Sequence, residues 1–208
     1  MITPTGIASL PAQLTAAQAA RRPLRAIGAA SAVAARIAVE SGFDALWVSG
    51  LEISTVLGLP DENVLRPRGF ADTVCALTRT AALPVIVDGD NAGGTAATAR
   101  RFAGDLVRTG AAALCLEDSA YPKVNSCVLH RSQVLAPTRT VTDQLKAMRD
   151  AAGADGVAVR RRTASSTSPA RHRAWQPLSC LDASPRAETR SASDASHAAF
   201  LPERLTSV

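Results

Sequence analysis

Between residues 25 and 159, short apolar or β-branched runs alternate with alanine-rich amphipathic stretches, a pattern that predicts βα units around a parallel sheet. The predicted strands are residues 26–30, 45–49, 85–88, 113–117 and 156–159. Helices are predicted at 32–40, 95–109 and 140–152, and Gly42, Gly110 and Gly153 each follow one of them as a stop. The segments "SGFDALWVSG", "TGAAALCLED" and "AGADGVAV" repeat one unit, a helix closed by glycine and then a buried strand. That recurrence favours a (β/α) barrel over an open sheet.

Beyond Arg160 the pattern stops. Residues 160–207 hold no Val, Ile or Gly, and the stretch is rich in Ser, Arg, Pro and Ala. No buried parallel strand is predicted there, which places a boundary near residue 160. The division is a partial barrel of about five βα units over residues 1–163 and a poorly structured tail over 164–208. With 21 Arg against 2 Lys, the chain fits a gene of high GC content, and an out-of-frame reading of such a gene yields this tail composition. A natural Ser/Arg-rich tail is the alternative.

Of the 208 residues, 47% are apolar and 20% charged, enough to bury a core in one domain. No apolar run reaches the roughly 20 residues of a membrane-spanning helix. The N-terminus does not read as a secretory signal, so a cytoplasmic location is expected. The net charge of +5 hints at nucleic acid, but residues 1–153 balance 15 basic against 13 acidic side chains and aromatics are 3%. Neither nucleic acid nor membrane is expected as a partner. Cys75, Cys115, Cys127 and Cys180 lie far apart without CxxC spacing and read as free thiols.

The chemistry is expected where strands end, because the C-terminal face of a barrel gathers loops and strand ends. Asp88 and Asp90, two apart after an apolar run, are expected on one side of a strand, with Glu117 on the next strand completing a carboxylate cluster. Such acids repel one another without a cation, and Mg²⁺ prefers hard oxygen ligands. Asp118 and Asp105 read as helix caps or turn residues. Ser49 and Gly50 follow Trp47 and offer backbone donors to a carboxylate or phosphate. Lys123 stands out as one of two lysines, although a loop lysine is most often solvated. His130, His172 and His197 lack a triad context, and no GxSxG, P-loop or GxGxxG motif is present.

"GFDALWVSGLEIS", "GLPDEN", "PVIVDGDNAGG" and "CLEDSAYPKVNS", in that order over about residues 24–159, resemble the phosphoenolpyruvate mutase and isocitrate lyase superfamily, and its mutase branch most. The resemblance implies a (β/α)8 barrel, Mg²⁺, a 2-oxoacid-type substrate and a homo-oligomer. It implies that Asp88 anchors the metal while Asp90 and Glu117 hold metal-bound waters. Asp61 and Asn63 fall on a gating loop, and Trp47, Ser49, Gly50 and Leu51 line the pyruvyl pocket. Lys123, Asn125 and Ser126 fall on a second closing loop, and Arg162 takes the place of a strand-end arginine. The Lys-x-Asn-Ser order resembles mutases more than phosphonopyruvate hydrolases, and the cysteine after a Lys-Lys pair that marks related lyases is missing. The implied reaction interconverts phosphoenolpyruvate and 3-phosphonopyruvate, a step of phosphonate and antibiotic biosynthesis. A hydrolase, another 2-oxoacid lyase, or a truncated barrel that binds metal or dicarboxylate without turnover are the alternatives. One departure is "DGDNAGG", where the superfamily commonly has Asp-x-Asp-Thr-Gly-Tyr-Gly, so that Asn91 and Ala92 stand for Thr and Gly.

Overall fold

The computed structural model describes residues 9–125, 134–153 and 158–162, the last five as backbone. Five strands, β1 (Ala26–Gly28), β2 (Ala45–Val48), β3 (Val85–Asp88), β4 (Ala113–Glu117) and β5 (Ala158–Arg162), form one parallel sheet in the order β1-β2-β3-β4-β5. Each strand pairs with its sequence neighbour and the order never reverses. A doubly wound sheet has a reversal; a (β/α) barrel does not. The helices are α1 (Leu10–Ala19), α2 (Ala32–Glu40), α3 (Gly50–Val56), α4 (Pro67–Thr80), α5 (Ala96–Arg108) and α6 (Thr138–Ala152).

Strand alternation sorts the core into two sides. Leu46, Val48, Val85, Val87, Leu114 and Leu116 pack with α2, α4, α5 and α6 in one cluster. The intervening residues Ala26, Ala45, Ile86, Ala113 and Cys115 pack instead with Leu10, Leu14 and Ala17 of α1. Alanine at three of these five positions leaves room for a helix on that face. Asp88 and Glu117 continue the second set, two residues past Ile86 and Cys115, as the last residues of β3 and β4.

Several ends are where the sequence predicts them. Helix α2 and strands β3 and β4 match to the residue, and α5 is bounded by Thr95 and Thr109. Thr95 closes a capping box with Thr98, which satisfies two free N–H groups of the first turn. Other boundaries need correction. β1 stops at Gly28 and β2 at Val48, because Ser49 already caps α3. β5 continues past its predicted end at residue 159 through Arg160, Arg161 and Arg162, paired with Cys115, Leu116 and Glu117. Backbone pairing to β4 defines this strand, and hydropathy alone does not register it. Gly156, Val157 and residues 163–208 lie outside the described residues.

Helix α4 was not predicted, yet Phe70, Val74 and Leu77 repeat at helical spacing, Pro67 opens its first turn, and charged Arg68 and Asp72 pair on its exposed side. Phe70 meets Phe102 of α5 edge to face, with centroids 5.5 Å apart. Cys75 and Cys115 are free thiols; Cys127 and Cys180 lie outside the described residues. No helix among the described residues is long and apolar enough to cross a membrane.

Candidate active site

The acids come to the C-terminal end of β3 and β4, but not in the predicted way. Asp88 ends β3, whereas Asp90 lies beyond it in a turn with φ +49°. Asp90 is thus placed by a turn and not by the alternation of one strand, because its positive φ ends the extended backbone at Asp88. Pairing still holds the turn in place, since Gly89 N donates to Cys115 O at 2.8 Å and Glu117 N to Asp90 O at 2.7 Å. Asp90 N also donates to Asp88 Oδ1 at 3.3 Å.

Gly50 explains where the Asp90 carboxylate goes. A Cβ on Gly50 would lie 2.6 Å from Asp90 Oδ2, so only glycine lets that carboxylate settle against the start of α3. Further along, Gly94 has φ +77°, and a Cβ there would lie 2.5 Å from Tyr121 Cβ. Gly94→Ala is expected to cost about 2 kcal/mol of unfolding free energy, read from urea denaturation at constant m-value.

Lys123 is not the solvated loop lysine that base rates favour. Its Nζ lies 2.5 Å from Asp90 Oδ1 and 2.8 Å from Asp61 Oδ1, and its side chain is 7% exposed. Burial depresses the ammonium, but Asp90 and Asp61 more than offset this and hold it above the ordinary lysine range. Burial, and then the charge of Asp88, push Asp90 up to about 7 against the pull of Lys123. Asn63, at φ +60°, accepts from Lys123 N at 2.7 Å and so ties the two loops by backbone as well. Ser119 Oγ donates to Glu117 at 3.1 Å.

A cavity of about 200 Å³ opens beside this cluster. Gly50, Asp61, Asn63 and Asp90 line its polar end, and Leu65, Phe70 and Phe102 its apolar wall. Trp47, Ser49, Leu51, Asp88, Glu117, Lys123 and Asn125 are not among its lining residues. Trp47 packs partly against the α1 side of the sheet, and Leu51 is 37% exposed. Arg162 is the last residue of β5 and falls in register with Glu117. Ser126, His130, His172 and His197 lie outside the described residues. Asp118 is buried and accepts Ala136 N through its carbonyl, and Asp105 pairs with Arg108 within α5, so neither is a helix cap.

Three participants were missed by sequence reasoning. Asn91 and Gln144 are buried polar residues bonded to each other. Glu52 lies so close to β1 that a Cβ on Gly28 would fall 2.1 Å from its Oε1, and its buried Oε2 has no hydrogen-bond partner among the described residues. Burial raises its pKa. Only Asn91 carried a signal, as a departure from the superfamily's threonine.

Whether these residues suit Mg²⁺ can be judged from the donors. Among the described residues, no three His, Cys, Asp or Glu side chains converge as direct ligands. Asp61, Asp88 and Glu117 are nonetheless buried hard-oxygen donors, and Asp90, raised first by burial, also feels the charges of Asp88 and Asp61. A cation that takes one carboxylate directly and keeps most of its waters fits this set, and Mg²⁺ binds in that manner.

The family described as phosphoenolpyruvate phosphomutase matches residues 14–186. The chain belongs to the phosphoenolpyruvate phosphomutase family. The match runs past the boundary read at residue 163. A phosphoenolpyruvate phosphomutase of Streptomyces hygroscopicus is 41% identical over 126 residues, which is 60% of this chain and 40% of that protein. The crystal structure of phosphoenolpyruvate phosphomutase from Streptomyces platensis subsp. rosaceus superposes with a TM-score of 0.68 at 33% identity, covering 74% of this chain and 53% of that one. A phosphonopyruvate hydrolase solved with oxalate and Mg²⁺ gives a TM-score of 0.62 at 27% identity, over 74% and 53% of the two chains. The chain thus spans about half or less of the length of these family members.

Proposed function

We propose that this chain carries the metal and phosphoryl-transfer site of a phosphoenolpyruvate mutase, which interconverts phosphoenolpyruvate and 3-phosphonopyruvate. The observation that carries the reading is Lys123, buried between Asp61 and Asp90 at the strand ends that also bear Asp88 and Glu117. These are the residues that the superfamily resemblance assigns to one site, and they come from two strand ends and three loops.

In the reaction the bond from phosphorus to the enol oxygen breaks and a bond from phosphorus to the methylene carbon forms, with no net proton transfer. Asp88 would hold Mg²⁺, with Asp90 and Glu117 holding its waters; the ion would supply positive charge to the pyruvyl oxygens. Backbone N–H groups at the start of α3, which follows β2 after Ser49, would suit the substrate carboxylate. Asn125 and Arg162 are assigned to guide the phosphoryl group, which needs positioning more than covalent help. Lys123 keeps its charge beside Asp90 and fixes the Asp61 loop over the site, so that water is excluded while the phosphoryl group moves. The whole protein is read as a cytoplasmic, Mg²⁺-dependent homo-oligomer.

Phosphorus NMR of phosphonopyruvate incubated with the full chain and Mg²⁺ tests this. Growth of the phosphoenolpyruvate signal is the expected result. Release of inorganic phosphate and pyruvate would instead assign the hydrolase reaction, the activity named for the relative solved with oxalate and Mg²⁺. Calorimetric binding of Mg²⁺ and oxalate without turnover of either kind would assign a binding module.

A further inference from the structure

The loops carrying Asp61, Asp90 and Lys123 meet at one side chain to which the proposed chemistry gives no role. Asn91 is 1% exposed. Its Oδ1 accepts from Asn63 Nδ2 and from Gly93 N, each at 3.3 Å, and its Nδ2 donates to Ala120 O at 3.1 Å. Its own carbonyl accepts from Gln144 Nε2 of α6 at 2.7 Å, and Gln144 is 2% exposed. Asn63 in turn receives the Lys123 N–H. A continuous path of hydrogen bonds therefore runs from the outer helix α6 through Asn91 to both loops.

We propose that Asn91 is a positioning residue, a clasp that joins the Asp61 loop to the Lys123 loop and so sets where the Lys123 ammonium stands against Asp90. A carboxamide has an acceptor and a donor at opposite corners of one rigid plane, and Asn91 uses both. Threonine carries a single hydroxyl one atom closer to the backbone and cannot reach both Asn63 and Ala120. Aspartate keeps the acceptor but turns an oxygen toward the Ala120 carbonyl. Gln144 is the anchor of the clasp: a buried glutamine in the apolar layer of α6 is costly unless its amide is bonded, and the bond it makes is to Asn91. The consequence for phosphoryl transfer rests on the mutase reading; the clasp itself does not.

Amide hydrogen exchange on the full chain, followed by NMR without substrate, tests it. In Asn91→Ala the Lys123 amide is expected to exchange about tenfold faster, the scale of one lost buried hydrogen bond, while the amides of β3 and β4 keep their rates. General destabilisation would instead speed Lys123, β3 and β4 together, and that result overturns the proposal. So does an unchanged Lys123 rate. If Asn91→Ala does not fold, Gln144→Leu removes only the anchor. A selective rise at Lys123 in that variant supports the clasp, and no rise or a uniform one refutes it. Failure of the mutase reading would appear in the phosphorus NMR experiment and leave these rates untouched.

Discussion

Lys123→Met is expected to lower the unfolding free energy by about 3 kcal/mol at pH 8, and most of that loss is expected to return at pH 5. The methionine fills a similar volume, so the cost is electrostatic: it strands Asp61 and Asp90, both largely buried, without their ammonium partner. Asp90 is already held high with Lys123 present, and without that ammonium its carboxyl will protonate more readily still. A protonated Asp90 leaves no stranded charge at its position, which is why acid restores the variant. Chemical denaturation at the two pH values measures the effect. A loss of the same size at both would mean that packing, and not charge, makes Lys123 important.

Asp90→Asn is expected to separate stability from function. The sign follows from the raised pKa: between about pH 4 and 7 the folded protein binds a proton at Asp90 that the unfolded chain has already released. Stability from this group is therefore present below pH 4 and lost as pH rises through 7. The asparagine variant cannot ionise, so it should match the parent below pH 4, exceed it progressively as the pH rises, and exceed it by about 4 kcal/mol at pH 8 in the absence of divalent metal. The same change removes a charge that attracts a cation, and Mg²⁺ should bind about 10–100-fold more weakly by calorimetry. A variant that is less stable at pH 8 would show that the Lys123–Asp90 pair is net favourable; unchanged Mg²⁺ affinity would remove Asp90 from the metal's surroundings.

These effects trace to parts of the molecule that were unequally legible in the sequence. Strands β3 and β4 could be read to the residue because each is a buried apolar run ending in an acid, with no competing pattern. Helix α3 was hidden because it is short and begins at Ser49-Gly50, which reads as a loop. The tertiary fate of Lys123 was beyond any local signal: its partners lie 62 and 33 residues away, and a lysine in a polar loop looks solvated until both are brought to it. The misplacement of Asp90 has a different origin. The two-residue period holds only while the backbone stays extended, and one residue at φ +49° ends it. The arginines of β5 show the converse, a strand defined by hydrogen bonding to its neighbour where composition argues for none.

The uninterrupted order of the sheet also bears on how the site comes into being during synthesis. Among the five described strands each docks on the one made just before it, so none of these pairings waits for a distant segment and each crossover closes a loop of local length. Asp88 and Glu117 lie on the third and fourth strands, and Asp61 precedes both in the chain. A ribosome that has released residues up to Lys123 has therefore already delivered every carboxylate of the cluster together with its cation. The acids need not wait, buried and uncompensated, for a charge encoded much later.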